Sequence, residues 1–340
     1  MHKVTITMIL YFISAFTISF VTLLVVIHYA HKHTFFIDCE KEEKPQKFHD
    51  EPVPRAGGIG IVMALVLLVL TPFGLKLLPS IMLAFVSGIF EDFHNSLTPR
   101  IRILLQIISV VVAIWFTHSV VTYLGLGITL PYAIGVVFSI FAIVGMINAV
   151  NIIDGFNGLA SGIILMILAS FAVVSLQHDN AELLEVIVIT AGAVFGFFVL
   201  VFPKGKIFLG DGGAYMLGFI VALIGIFLAG KYDDVSPWYI WALFIYPVWE
   251  VIFSIIRKSA IGRSPMQPDI YHMHMLVHRQ ITNKNNPLTA LSILLFTSPF
   301  MIASTLHAHC SLCNMMISIA FISTYVVLYW YLYKKDINGI

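Results

Sequence analysis

The chain has 340 residues, 59% hydrophobic and only 11% charged, with a net charge of +1 at neutral pH. Soluble domains carry roughly 25% charged residues, so too few polar groups remain here to cover a water-soluble globule, and an aromatic content of 13% excludes a disordered chain. Near-neutral charge leaves no basic stripe for nucleic acid and three cysteines cannot build a disulfide framework, so the composition describes an integral membrane protein.

A helix crossing a bilayer needs about 20 apolar residues. Eleven runs are candidates, near 4–30, 57–74, 77–90, 103–121, 131–150, 159–177, 183–202, 214–230, 237–257, 287–306 and 312–333, with 77–90 the shortest. No strand-like alternation of apolar and polar residues occurs, which argues against a membrane barrel. The expected fold is therefore all-α and polytopic, one transmembrane domain over 1–340, with its polar motifs between about 38 and 280. The first run is too long for the apolar region of a signal peptide and lacks a small-residue cleavage site, so it is expected to stay. With eleven spans and the N-terminus outside, 16 Lys and Arg fall on the inner side and only Lys3, Lys76 and Lys231 on the outer, a strong positive-inside bias.

Outer loops hold little chemistry. His307, His309, Cys310 and Cys313 superficially resemble a zinc ligand set, but so short a loop reads first as a plain connection. Asp179, Glu182, Glu185, Asp233 and Asp234 read as hydrated charges at loop ends. Polar residues concentrate instead in five inner segments, where each needs water or a partner. Lys44 to Gly58 carries a Pro-x-Pro-Arg-x-Gly-Gly string that a merely basic loop leaves unexplained. Glu91 and Asp92 are adjacent carboxylates that repel unless a cation or the nearby Arg100 and Arg102 offsets them. Asn148, Asn151 and Asp154 follow at i, i+3, i+6, an oxygen-rich face suited to Mg²⁺, and Asn157 offers an amide that can read a base edge. Asp211 stands among Gly210, Gly212 and Gly213 just before an apolar helix, where exposed N–H groups favour an anion, although Gly-Asp-Gly is also a common turn. His272, His274, His278 and Arg279 cluster near Asp269, a set open to phosphate binding, metal binding or proton transfer. Together these are the groups that phosphoryl transfer to a lipid headgroup requires, since that reaction is mostly positioning and charge neutralisation.

In order along the chain, the five motifs resemble those of the polyprenyl-phosphate N-acetylhexosamine-1-phosphate transferases, the superfamily that includes the phospho-MurNAc-pentapeptide transferase. The resemblance implies a UDP-sugar donor, an undecaprenyl-phosphate acceptor, Mg²⁺ (with Mn²⁺ as a substitute) and release of UMP at the cytoplasmic face of a bacterial inner membrane. It implies that Asp211 is the principal metal ligand with Asn151 as helper, and that Asp92 and Asp154 act at the reaction centre with Glu91 in support. Phe208 resembles the aromatic that stacks on uracil, with Asn157 and Asn148 at the nucleotide. Arg55, Arg100, Arg102, His272, His274 and Arg279 become candidates for the phosphates and the sugar. Glu91, Asn157, Met275 and Glu250 depart from common family residues. The His-x-His-x-Leu-Val-x-Arg form lacks the three consecutive histidines of the peptidoglycan enzyme and looks closer to members that begin O-antigen or other surface polysaccharides. The rival readings are the peptidoglycan-precursor transferase, a secondary transporter and an inactive relative; a homodimer is a permitted assembly. A transporter would place its ionisable residues near the bilayer midplane, whereas here they lie at helix ends.

Overall fold

The computed structural model describes residues 2–33, 53–94, 97–264 and 269–338. The expected residues Lys44 to Pro52 and Pro265 to Pro268 lie outside this set. The helices in order are α1 (His2–His33), α2 (Gly57–Leu65), a 3-10 segment (Val66–Leu70), α3 (Pro72–His94), α4 (Pro99–Thr117), α5 (Tyr132–Ile153), α6 (Leu159–Gln177), α7 (Ala181–Val201), α8 (Gly210–Lys231), α9 (Pro237–Leu243), α10 (Ile245–Ala260), α11 (Met273–Gln280), α12 (Asn286–Leu306) and α13 (Ser311–Asn338). Among the described residues there is no strand, only two isolated bridges. The fold is that of an all-α polytopic membrane protein.

Nine of these helices are long and apolar enough to cross a membrane, and α9 with α10 makes a tenth, bent by 75°. The bend falls at Phe244, just before Pro247, which has no N–H to continue the α9 ladder. Against the eleven expected runs, the described residues hold nine such helices, or ten with the bent pair. The run 237–257 is split at Phe244, and 103–121 is α4 at 99–117, ended by His118 in the left-handed region. The third difference lies between 57 and 90. The sequence suggests 57–74 followed by a short 77–90; instead the helix breaks at Thr71, and α3 runs for 23 residues. Thr71 precedes Pro72, which drives it into extended backbone (φ −117°, ψ 133°), and its Oγ1 then accepts the Gly74 N–H at 3.1 Å. The short apolar element is therefore Gly57–Leu70, not the run after it.

α8 is apolar all round and almost wholly buried, with α3, α5 and α2 packed against it. α1 presents Ile6, Ile9, Leu10 and Ile13 outward, as a lipid-facing helix must, and meets α7 on its other side. Lipid offers no hydrophobic drive for that contact, so close backbone approach supplies it. A Cβ on Gly192 would stand 2.4 Å from the Phe12 carbonyl oxygen, and one on Gly196 2.7 Å from that of Phe16. The burial of α8 has a functional consequence: its N-terminus, with Asp211, is held on three sides by other helices.

Candidate active site

Asp211 opens α8 with its side chain partly exposed. Asn151, near the end of α5, donates Nδ2–H to its Oδ1 at 3.0 Å, and Arg102 of α4 lies 3.5 Å from its Oδ2. The same guanidinium stands 3.5 Å from Glu91 and 3.3 Å from the Tyr215 hydroxyl. Tyr215 is one helical turn after Asp211, so the i, i+4 rule could have placed it here from sequence. Four separate helices thus contribute to one polar cluster, and none of them could form it alone.

Asp92 has a different position from its neighbour. Its Oδ1 accepts the Asp211 N–H at 2.8 Å and its Oδ2 the Gly212 N–H at 2.9 Å. The anion that the glycine-rich start of α8 attracts is therefore this internal carboxylate, which meets two of the free N–H groups and the positive helix end. Gly210 adopts φ +76°, and a Cβ there would lie 2.8 Å from Asp92 Oδ2, so glycine is what admits the cap.

The Pro-x-Pro-Arg-x-Gly-Gly string is explained by pairing. The Phe208 N–H donates to the Pro54 carbonyl at 2.9 Å, and the Gly57 and Gly58 N–H groups donate to the Phe208 and Leu209 carbonyls at 2.8 and 2.9 Å. This short parallel bridge between Arg55 and Phe208 brings the first and fourth motifs together beside Asp211. Arg55 is exposed there, as are Arg100, Lys204 and Lys206, and the Phe208 ring is half-buried.

The third motif turns inward. Asp154 ends α5, and desolvation raises its carboxyl to about 7, with the Asp211 charge adding to the effect and Arg55 opposing it. Asn157 is buried: its N–H reaches Asn286 Oδ1 at 2.7 Å and its Nδ2–H the Pro203 carbonyl at 3.0 Å, while Oδ1 has no partner. Asn148 instead bridges helices, donating to Gln106 Oε1 at 3.0 Å and to the Val144 carbonyl at 2.8 Å.

The histidine motif forms α11, whose rings are mostly committed to protein. His272 Nδ1 pairs with buried Glu250 at 3.0 Å, and Glu250 also accepts the Met273 N–H at 3.1 Å, so it clamps the start of α11. His274 Nδ1 lies 3.1 Å from the Tyr246 hydroxyl, its Nε2 is buried without a partner, and burial lowers its pKa to about 4. Phe156 packs edge-on against His274 and His278 at 5.4 and 5.0 Å, tying the third motif to the fifth. Asp269, held below the usual carboxylate range despite its burial, accepts from Ser254 at 2.8 Å, from the Tyr271 N–H at 3.0 Å and from Arg257. Arg279 makes a bidentate pair with Asp336 of α13, 2.9 Å at each contact, a partner for which the sequence carries no signal.

The donor set suits a divalent cation. Glu91 Oε2 is buried without a hydrogen-bond partner, although its carboxylate shares Arg102 with Asp211. A desolvated carboxylate oxygen left in this way needs positive charge, and Asp211 with Glu91 would hold Mg²⁺, while Asn151 orients Asp211.

Residues 75–229 match the model of glycosyl transferase family 4. The chain is 29% identical to the undecaprenyl-phosphate alpha-N-acetylglucosaminyl 1-phosphate transferase of Thermotoga maritima, over 74% of this chain and 75% of that one. It is 27% identical to the probable undecaprenyl-phosphate N-acetylglucosaminyl 1-phosphate transferase of Bacillus subtilis, over 76% and 75%. It is also 28% identical to a phospho-N-acetylmuramoyl-pentapeptide-transferase of Streptococcus agalactiae, over 55% and 58%. These relatives share one superfamily, the polyprenyl-phosphate N-acetylhexosamine-1-phosphate transferases, and the chain is similar to its members over a core that contains Asp92, Arg102, Asn151 and Asp211.

Proposed function

We propose that this protein transfers a UDP-activated N-acetylhexosamine 1-phosphate to undecaprenyl phosphate, releasing UMP and leaving the lipid-diphospho-sugar that begins a surface polysaccharide of the O-antigen type. The observation that carries this reading is the cluster at the start of α8, where Asp211, Glu91, Asn151 and Arg102 meet the segment bearing Phe208. Mg²⁺, or Mn²⁺ in its place, supplies neutralisation of pyrophosphate charge when held there. Arg102, already shared between two carboxylates, can turn part of its charge to a phosphate, and exposed Arg55 and Arg100 can reach others. The half-buried Phe208 ring offers a face for uracil, and the free Asn157 Oδ1 accepts an N–H from the base. An oxygen of the lipid phosphate bonds to the β-phosphorus as the bond to UMP breaks, and UMP leaves with the electron pair. A phosphate monoester with second pKa of about 6 is mostly dianionic at pH 7, so the acceptor needs no strong base.

The site is read as cytoplasmic in a bacterial inner membrane, with the N-terminus outside and the C-terminus inside. Sixteen of 19 Lys and Arg on one side support this. The disulfide joining Cys310, just before α13, to Cys313 in its first turn supports it too, since disulfides persist in oxidising compartments. A surface-polysaccharide donor is favoured over the peptidoglycan precursor because Met275, which stands where a third consecutive histidine would, is buried in the core. The test is UMP exchange in membranes expressing the protein, with labelled UMP, undecaprenyl phosphate, Mg²⁺ and a panel of UDP-sugars. Label entering one UDP-N-acetylhexosamine, and lost with EDTA, is the expected result. Label entering only UDP-MurNAc-pentapeptide, or no donor at all, would overturn the proposal.

A further inference from the structure

Three connections meet at the end of the bundle remote from Asp211. His178 follows α6, Asp234 follows α8, and His309 lies between α12 and α13. The 22 residues of α8, about 33 Å at 1.5 Å per residue, separate this end from the reaction centre. His178 Nε2 lies 3.0 and 3.2 Å from the two Asp234 carboxylate oxygens. His309 Nδ1 lies 3.2 Å from Asp234 Oδ2 and 3.1 Å from the Asp234 main-chain oxygen. One ligating atom from each residue falls within 4.8 Å of the others.

The orientation of His178 makes this more than proximity. Its Nδ1–H donates to the Val174 carbonyl at 2.9 Å, which fixes the ring with Nε2 aimed at the Asp234 carboxylate. A carbonyl behind one ring nitrogen is the usual support for a metal on the other. Tyr232 packs over the ring at 4.0 Å and is itself held by Asn180 at 2.8 Å, so the imidazole is fixed in place. Two imidazole nitrogens and the Asp234 carboxylate thus meet within 4.8 Å, a cluster that calls for positive charge, carried by ring protons or by a metal ion.

We propose that His178, Asp234 and His309 form a site for a divalent transition metal, Zn²⁺ by preference, that ties the three connections together. Tetrahedral zinc with bonds of ~2.0–2.2 Å sets its ligand atoms roughly 3.3–3.6 Å apart, so separations of 3.0–3.2 Å need only a slight spread. Two imidazoles select zinc and its neighbours over Mg²⁺ or Ca²⁺, which prefer all-oxygen shells. The adjacent cysteines are spent on each other in the Cys310–Cys313 disulfide, and His307 Nδ1 is taken by the Ala303 carbonyl at 2.9 Å. The site therefore differs from the His-His-Cys-Cys set that the loop sequence suggests: it keeps one of those four residues and draws the others from distant connections.

The test uses tag-free full-length protein in detergent, without reductant, stripped with EDTA, incubated with Zn²⁺ and desalted before metal counting. Wild type should retain one zinc per chain, and Co²⁺ in its place should show tetrahedral visible bands without thiolate charge transfer. His309→Gln and Asp234→Asn should each weaken zinc binding at least tenfold, while Asp211→Asn should not. His309→Gln should also keep a monodisperse elution profile and Mg²⁺-supported UMP exchange, which separates loss of the site from loss of the fold. Failure of wild type to retain zinc would overturn the proposal in favour of two protonated imidazoles sharing one carboxylate. Undiminished zinc in both His309→Gln and His178→Gln would overturn it by placing the metal elsewhere.

Discussion

Replacing Asp92 by asparagine distinguishes a carboxylate that takes protons from one that holds a helix. In this structure both oxygens are occupied, by the N–H groups of Asp211 at 2.8 Å and Gly212 at 2.9 Å. Asparagine keeps one acceptor but turns its NH₂ towards the second N–H, so one charge-assisted bond is lost, about 1.5–3 kcal/mol. The negative charge at the helix N-terminus goes with it, adding up to ~1–2 kcal/mol in a partly buried setting. A domain of 150–250 residues shifts by about 2–4 °C per kcal/mol and a longer chain by less, so Tm in detergent should fall by a few degrees. Asp92→Ala leaves both N–H groups without a partner and should fall further. Activity should drop because Asp211 is displaced, with a raised Mg²⁺ requirement and an unchanged shape of the pH–rate profile. Unaltered Tm in Asp92→Asn, with activity at background and one limb of the pH profile gone, would refute the capping argument and assign Asp92 to proton transfer.

Asp211→Ala should reduce UMP exchange by about 10³-fold or more with normal expression and elution, as expected for a residue acting through charge neutralisation; retained activity would remove it from the metal site. Asn157→Ala should chiefly raise the KM for the UDP-sugar and cost about 1 kcal/mol through the lost bond to Pro203, and an unchanged KM would take it out of uracil recognition. His274, held near 4 by burial against an ordinary 6.5, must stay neutral in the fold, so its contribution is lost as pH falls from about 6.5 towards 4. Thermal stability measured across that window should decline in wild type and decline less in His274→Gln. Arg279→Ala should lower Tm through loss of the Asp336 pair, and Asp336→Ala should match it; a raised KM in Arg279→Ala alone would show that the guanidinium also serves substrate.

Much of the architecture was legible because hydropathy in a bilayer is nearly a local property. Each apolar run is helical in the structure, though 57–74 yields only a short helix and a 3-10 segment, since a backbone in lipid must satisfy its own hydrogen bonds. The changed boundaries, at Thr71-Pro72, at Pro99 and His118, and at Phe244, turn on local chemistry that a hydropathy count smooths over. Motif spacing also marked the polar residues that the packing gathers around Asp211, because few polar side chains occur in so apolar a chain without a reason. What spacing could not convey was how each is used: Asn148 is drawn to Gln106, Arg279 to Asp336 and Asn157 to Asn286, partners 42, 57 and 129 residues away.

The sequence by itself determined that the chain is a helical membrane protein, which segments are apolar, and which residue types gather at one end of the bundle. Those outcomes follow from composition and period, which each segment carries independently. Only the tertiary structure decided that Asp92 caps α8 while Asp211 faces outward, although the carboxylates are chemically alike. Only it decided that the Pro-Arg-x-Gly-Gly string pairs with Phe208, and that His309 leaves its own loop to meet His178 and Asp234. These outcomes depend on which helix ends the packing of α3, α5 and α8 brings within 3 Å of one another, a relation between distant segments that no single segment contains.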